Sequence, residues 1–262
     1  MDIRLVVTDL DGTLLSPDRS ISDHAVETIQ KLRDRGILFT FITGRPWCAA
    51  ERFAVRAGID IPVITCNGAV INRGYEMLWR SPMPLEPLRK LLETAVERGL
   101  TVLYSQEGRE AAMSETDWVK ARNYPVRFPA GGEWAALAAD KVNLISGEKT
   151  REFREISAAF DKLSDRYQFV CYTDIGCEIS GKGVNKASAL ERYAASQGID
   201  LGQVLAIGDN ENDLEMLRLA AVGAAVGNAT ASARSAADYI CTACNTDGVV
   251  EAIERFCLGV EG

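Results

Sequence analysis

Two aspartates two residues apart, Asp9 and Asp11, follow an apolar run that begins at Ile3. In an extended strand their side chains share one face about 7 Å apart, and crowding two carboxylates there costs energy unless a cation lies between them. Mg²⁺ suits such a place because it takes hard oxygen ligands and keeps coordination sites for water and phosphate. Gly12 then permits a sharp turn. The alternative interpretation is an acidic strand end followed by a turn.

A second candidate site is the segment Thr43-Gly44-Arg45-Pro46 at the end of the next strand. A hydroxyl and backbone N–H groups at a helix start can bind phosphate, and Pro46 favours the first helical turn. A threonine cap followed by a glycine turn explains the same residues without a ligand. Arg45 can face a substrate, an inserted module or solvent, so it is not assigned to the catalytic set.

A lysine in the first turn of a helix, Lys186, is the third candidate. It lies near the positive end of the helix dipole, which is mildly unfavourable unless an anion is close. Lys182 competes for this role but belongs to a glycine-flanked linker. A solvated lysine is the alternative interpretation for either residue.

The fourth candidate is the polar segment that runs from Gly208 to Asp213. If a helix starts at Asn210, Asp209 precedes it and Asp213 lies one turn later on the same side. Two acids and an amide then face one crevice. The alternative is helix capping by Asp209 with acids in the first turn, which accounts for one or two of these residues.

Each candidate follows a strand in a chain where strands and amphipathic helices alternate. Near the start, strands are predicted at 3–8, 37–43 and 62–66, with helices from the cap Ser22 to Gly36 and at 46–57. Near the end, helices are predicted at 184–197, 214–219, 231–236 and 249–256, with strands at 204–207, 221–226 and 239–241. This order predicts an α/β fold with a Rossmann-like parallel sheet, whose carboxyl strand ends form a ligand crevice.

The middle of the chain has a different pattern. One helical face is predicted at 85–96 and another is carried by Phe153, Ile156, Phe160 and Leu163; strands are predicted at 101–104, 142–145, 167–172 and 175–179. Proline or glycine residues typical of linkers lie at 81–84 and 181–183. We therefore expect an α+β module inserted at 83–183 into an α/β core made of 1–82 and 184–262.

Composition excludes several classes of protein. The 262 residues are 47% hydrophobic and 25% charged, which is typical of globular proteins. A net charge of -8 argues against nucleic acid as a partner. No apolar run approaches a membrane span, and the first residues lack a signal peptide, so we expect no membrane association and a cytoplasmic location. The single histidine, His24, and the pair Cys241 and Cys244 are interpreted as structural residues.

Taken in order, these segments resemble the four motifs of the haloacid dehalogenase-like phosphohydrolases. The resemblance is carried by Asp9 to Thr13, Thr43 to Arg45, Lys186 and Gly208 to Asp213. The insertion is similar to that of the Cof-type, subfamily IIB branch, as are the segments Asn67-Gly68-Ala69, Gly227-Asn228-Ala229 and Asn245 to Val249. The resemblance implies that the α+β insertion at 83–183 is a cap domain that sets substrate specificity and that 1–82 and 184–262 form the catalytic core.

This resemblance implies a set of roles. Asp9 would be the nucleophile that forms an aspartyl-phosphate, and Asp11 would be the general acid and base. Mg²⁺ would be held by the Asp9 side chain, the Asp11 backbone carbonyl and Asp209, with Asp213 orienting its waters. The phosphoryl oxygens would be bound by Leu10, Thr43, Gly44, Lys186 and Asn212.

The resulting hypothesis is a Mg²⁺-dependent phosphatase that acts on a small phosphorylated metabolite, such as a sugar phosphate. A phosphomutase of the same branch is the first alternative, because Asp11 could return its proton to a second sugar hydroxyl. A non-catalytic binding or regulatory protein is the second, because a fold alone does not fix activity. The oligomeric state is left open.

Overall fold

A computed structural model of the chain describes residues 2–146, 156, 163–173 and 176–259, which form two compact units. The first unit comprises Met1–Arg45, Ala49–Leu78 and Asn185–Gly262, and the second comprises Pro46–Cys48 and Trp79–Val184. The insertion expected at 83–183 falls within the second unit.

Strands and helices alternate in the first and last parts of the described chain, whereas strands predominate between them. The strands are β1 Leu5–Thr8, β2 Leu38–Phe41, β3 Val63–Thr65, β4 Val70–Arg73, β5 Glu76–Arg80, β6 Met83–Pro84, β7 Thr101–Gln106, β8 Arg109–Ala112, β9 Ala138–Ala139, β10 Lys141–Ile145, β11 Tyr167–Thr173, β12 Gly176–Gly181, β13 Val204–Gly208, β14 Val222–Ala225 and β15 Tyr239–Ile240. The α-helices are α1 Asp23–Asp34, α2 Trp47–Arg56, α3 Arg89–Glu97, α4 Asp117–Ala121, α5 Lys186–Ser196, α6 Leu214–Leu219, α7 Ala231–Ala236 and α8 Asn245–Ile253.

Five parallel strands form the main sheet of the first unit, in the order β15-β14-β13-β1-β2. Every residue of β1, β13 and β14 is buried, as a parallel sheet covered on both faces requires. The chain leaves β1 for β2 on one side, and β13 pairs with β1 on the other. A crevice is expected beyond the carboxyl ends of strands at such a switch point. The predicted α/β class is confirmed.

The third predicted strand, at 62–66, forms β3 but does not extend this sheet as a full strand. It meets the end of β2 through a parallel bridge between Ile42 and Ile64, and then pairs antiparallel with β4, which is followed by β5. The β4–β5 hairpin is not predicted from sequence. Adjacent apolar residues such as Val70 and Ile71 break the alternation that marks a half-buried strand.

Local capping explains where the helices of the first unit begin. The Ser22 hydroxyl accepts the Ala25 N–H at 3.2 Å, and α1 ends before Gly36, whose φ is +74°. α5 starts two residues later than predicted because Asn185 caps it in a reciprocal pair with Ser188. No helix within the described ranges is long and apolar enough to cross a membrane.

The second unit contains an antiparallel sheet in the order β11-β12-β10-β7-β8. One sheet face packs on α3 and neighbouring segments through an apolar core that includes Leu92, Val102, Trp134 and Val142. The predicted antiparallel strands and the helix at 85–96 are therefore present. Ile156 is buried in this core and Leu163 packs against it, whereas Phe153 and Phe160 lie outside the described residues.

Candidate active site

Two aspartates meet at the carboxyl edge of the main sheet because they follow neighbouring parallel strands. Asp9 comes directly after β1 and Asp209 directly after β13. The segments that continue β1 and β13 stay paired as far as Asp9, since the Asp9 N–H donates to the Ile207 carbonyl at 2.9 Å. The Asp9 side chain is buried and Asp209 is partly buried.

Lys186 lies among these acids. It is the first residue of α5, it is fully buried, and its Nζ donates to Asp9 Oδ1 at 2.5 Å and to Asp213 Oδ1 at 2.6 Å. The competing candidate, Lys182, instead donates from an exposed position to the Ser164 carbonyl at 3.0 Å. Of the two lysines, Lys186 is therefore the one that the fold brings to Asp9.

Asp213 organises the turn after β13. Its Oδ2 accepts the backbone N–H groups of Asp209 at 3.0 Å and Asn210 at 3.1 Å. Asn210, rather than Asp209, is the cap of the following helical turn. This leaves the Asp209 carboxylate to accept the Thr13 hydroxyl at 2.6 Å. One carboxylate oxygen each from Asp9, Asp209 and Asp213 lies within 4.8 Å of the other two.

Three carboxylates share this small volume with one ammonium group. Burial raises the pKa of Asp9 to about 7, and the charges of Asp213 and Asp209 add to the rise against the opposing Lys186. Burial also raises the pKa of Asp209 to about 6, with Asp213 adding to it. Burial opposes the charge of Lys186, but the Asp213 and Asp9 carboxylates outweigh it, so its pKa is raised.

If all three carboxylates were ionised, Lys186 would balance only one of their charges, and the raised pKa values of Asp9 and Asp209 show that the buried site disfavours this fully ionised state. A divalent cation would relieve the repulsion and favour the ionised carboxylates. The donors are all hard oxygens, which is the set that Mg²⁺ prefers. The residues present therefore fit a divalent metal ion.

The expected phosphate-binding residues line the adjoining loops. Thr43 is buried, and its hydroxyl accepts the Arg45 N–H at 3.1 Å. A Cβ at Gly44 would lie 3.2 Å from the Asn67 amide, whose Oδ1 accepts Asn212 Nδ2 at 3.1 Å. The Leu10 side chain is buried, so any contact with a ligand must come from its backbone.

Asp11 does not join the three-carboxylate cluster. Its side chain is 53% exposed, and both of its oxygens accept hydrogen bonds from Arg45, at 2.7 and 2.5 Å. Arg45 could not be assigned a role from sequence, since a pairing across 34 positions has no local signal. Asn67 and Asn228, which only the family resemblance marked in the sequence, also contact residues of the site: Asn67 Oδ1 accepts Asn212 Nδ2, and Asn228 Nδ2 donates to the Gly12 carbonyl at 2.7 Å.

A family model described as haloacid dehalogenase-like hydrolase matches residues 6–253. The chain belongs to this family. The match confirms the resemblance predicted from the motifs and the prediction that the chain is an enzyme, a hydrolase of the haloacid dehalogenase-like family.

Relatives in this family are named phosphatases. The chain is 29% identical over 259 residues to phosphoglycolate phosphatase of Methanoculleus marisnigri, covering 97% of each chain. It is also 29% identical to 5-amino-6-(5-phospho-D-ribitylamino)uracil phosphatase of Bacillus subtilis, covering 98% of this chain and 97% of that one. Pyridoxal phosphate phosphatase of Escherichia coli is 26% identical, with 97% and 98% covered.

Solved structures agree with the fold. A haloacid dehalogenase-like hydrolase from Bacteroides thetaiotaomicron superposes with a TM-score of 0.83 at 27% identity, covering 97% of this chain and 99% of that one. A subclass IIB sugar phosphatase of the same superfamily gives a TM-score of 0.80 at 24% identity, with 97% and 98% covered.

Proposed function

We propose that the chain is a Mg²⁺-dependent phosphatase that hydrolyses a small phosphate monoester through an aspartyl-phosphate on Asp9. The observation that carries this proposal is the buried Asp9 carboxylate, bonded to Lys186 at 2.5 Å and grouped with Asp209 and Asp213 within 4.8 Å. The named activities of the relatives, all phosphatases of small metabolites, support it.

Asp9 and Asp209 would hold the metal through their carboxylates and Asp11 through its backbone carbonyl. Asp213, whose oxygens already accept hydrogen bonds from Lys186 and two backbone N–H groups, would orient the metal's waters. When bound, Mg²⁺ would neutralise charge on the phosphoryl oxygens. Lys186 adds a second positive charge beside Asp9. Phosphoryl transfer needs mainly in-line positioning and charge neutralisation, so these groups provide most of what the reaction requires.

The chain's own residues divide the reaction into two steps. In the first, an Asp9 oxygen bonds to phosphorus as the bond to the leaving oxygen breaks, and the Asp11 carboxylic acid gives that oxygen its proton. In the second, water attacks phosphorus and loses a proton to the Asp11 carboxylate. The bond to Asp9 then breaks and inorganic phosphate leaves. In both steps the phosphoryl oxygens are bound by the same five residues: Leu10, Thr43, Gly44, Lys186 and Asn212.

We assign the choice of leaving group to the second unit. Its sheet buries one face in its own apolar core. The opposite face carries a smaller apolar cluster around Leu103 and, beside it, four polar side chains: Ser105, Lys141, Asn143 and Glu178. Lys141 and Glu178 form an ion pair at 3.4 Å and are both largely buried. We call these four residues the polar face; its donors and acceptors suit a hydroxylated or charged metabolite.

The test is a screen for phosphate release. The panel contains phosphoglycolate, pyridoxal 5′-phosphate, hexose phosphates and p-nitrophenyl phosphate, each with Mg²⁺, with excess chelator and with Mg²⁺ restored. We expect free phosphate only when Mg²⁺ is present. Full activity in excess chelator would refute the metal site, and conversion of one sugar phosphate to its isomer without free phosphate would favour the phosphomutase.

A further inference from the structure

The Arg45 guanidinium donates a hydrogen bond to each oxygen of the Asp11 carboxylate. Nε donates to Asp11 Oδ2 at 2.7 Å and Nη2 donates to Asp11 Oδ1 at 2.5 Å. Two parallel bonds from a planar fork fix both the distance and the plane of a carboxylate, which a single point charge does not.

Residues close to Arg45 in the chain fix the position of its side chain and backbone. Its guanidinium lies over the ring of Phe53, 5.1 Å from the centroid, and its backbone N–H donates to the Thr43 hydroxyl. Phe53 is buried on α2. The arginine is therefore tied to the end of β2 and to α2, while Asp11 belongs to the loop after β1.

Asp11 needs such support because the carboxylate cluster does not provide it. About half of its side chain is exposed, and an exposed side chain samples several rotamers. A proton donor must stay within hydrogen-bond reach of the leaving oxygen, and a misplacement of about 1 Å can cost about 10²-fold in rate.

We propose that Arg45 is a positioning residue that orients the Asp11 carboxyl group for proton transfer to the leaving oxygen. This inference rests on the proposed role of Asp11. Arg45 gives up no proton: Asp11 donates one as the bond from phosphorus to the leaving oxygen breaks, and later takes one from water. The form that remains after donation is the carboxylate, which is the form that a guanidinium binds.

The alternative role for Arg45 is direct binding of the phosphoryl group, and the leaving group distinguishes the two. An alkoxide must be protonated as it leaves, whereas the p-nitrophenolate ion leaves without a proton. We therefore compare kcat/KM for p-nitrophenyl phosphate with kcat/KM for the most reactive alkyl phosphate of the panel.

The variants are Arg45→Ala, Arg45→Lys, Asp11→Asn and the double variant of Arg45→Ala with Asp11→Asn. Arg52→Ala is the matched control, because the Arg52 guanidinium lies over the same Phe53 ring at 4.5 Å.

We expect Arg45→Ala to lower kcat/KM about 10²-fold for the alkyl phosphate and far less for p-nitrophenyl phosphate. Asp11→Asn should show the same dependence, the double variant should be no worse than Asp11→Asn, and Arg45→Lys should lie between wild type and Arg45→Ala. Arg52→Ala should behave as wild type.

Equal losses on both esters, or losses in the double variant that multiply, would overturn the inference and assign Arg45 to phosphate binding. Retention of wild-type kcat/KM by Arg45→Lys and Arg45→Ala would overturn it as well. If Asp11→Asn itself showed no dependence on the leaving group, the proposed role of Asp11 would fail instead, and the two failures are therefore distinguishable.

Discussion

At the scale of single residues, Asp9 carries the largest share of the proposed chemistry. We expect Asp9→Asn to lower kcat at least about 10³-fold, because the amide has nearly the same shape but is a poor nucleophile. The fold should persist, since Lys186 keeps its bond to Asp213. Steady-state kinetics with circular dichroism measure both, and Asp18→Asn at an exposed carboxyl is the control. A variant that kept a tenth of wild-type activity would contradict the nucleophile assignment.

The raised pKa of Asp9 has a consequence for stability. In the unfolded chain Asp9 ionises near pH 3.8, but in the folded chain burial moves its pKa to about 7. Between these values the folded state holds a proton that the unfolded state has lost, so this group makes the free energy of unfolding fall as pH rises from about 4 to about 7.

Asn at position 9 cannot titrate. In metal-free buffer, the Tm of wild type minus that of Asp9→Asn should therefore decrease between pH 5 and pH 8. The Tm of wild type minus that of Asp18→Asn should show no such decrease, because hydrogen bonds from Ser20 lower the pKa of Asp18 instead of raising it. A difference that stays constant or increases would mean that Asp9 is not a buried, repelled carboxylate.

At the scale of elements, the loop after β1 approaches the turn after β13 so closely that only glycine fits. Gly12 has φ +85°, and a Cβ there would lie 2.5 Å from Asp209 Oδ2. Gly12→Ala should therefore displace Asp209. Gly36→Ala is the matched control, because its φ is +74° but nothing lies within 4 Å of the added carbon.

Both glycine variants should lose about 1 to 2 kcal/mol of stability from backbone strain. Only Gly12→Ala should also lose the increase in Tm that Mg²⁺ gives, since that increase reports metal affinity. Calorimetric scans with and without Mg²⁺ measure this. Equal Mg²⁺ effects in the two variants would show that the position of Asp209 does not control metal binding.

The polar face makes a different prediction for the second unit. Removing one member of the Lys141–Glu178 pair would leave a buried charge uncompensated, so both are changed together, as Lys141→Gln with Glu178→Gln. We expect this variant to fold and to keep its turnover of p-nitrophenyl phosphate, while the ranking of metabolites in the panel changes. An unchanged ranking would remove the polar face from substrate selection.

Most element types were predictable from sequence, because capping residues and periodicity are local signals. Ser22 fixes the start of α1, and the continuous apolar run before Asp9 marks a buried strand. The motif order also predicted that Lys186 and the acids after β1 and β13 lie close together. The Asp11 carboxylate, which the spacing placed beside a cation with Asp9, instead pairs with Arg45. What sequence could not predict was side-chain pairing across the chain. From sequence, Arg45 could face a substrate, the inserted module or solvent, and only the positions of β1, β2 and α2 bring it to Asp11.

At the scale of the whole molecule, the two units divide the work that we propose. All residues of the carboxylate cluster, with Lys186, Thr43 and Arg45, belong to the first unit, and the polar face belongs to the second. Each unit has its own sheet and its own buried apolar residues. The phosphoryl chemistry and the choice of substrate should therefore be separable.

Replacement of residues 83–183 by a short Gly/Ser linker tests this separation. The remaining core should keep Mg²⁺-dependent hydrolysis of p-nitrophenyl phosphate, because all the residues that we propose to bind the phosphoryl oxygens lie outside the replaced segment. Its kcat/KM values for the different sugar phosphates should converge, because the polar face that we propose to select the leaving group is gone. A cooperative thermal transition establishes that the core is folded, and Asp9→Asn in the same core excludes a contaminating phosphatase. A folded core that preserved the parent ranking of substrates would place selectivity in the first unit, where Arg45 and Asn67 would be the residues to vary next.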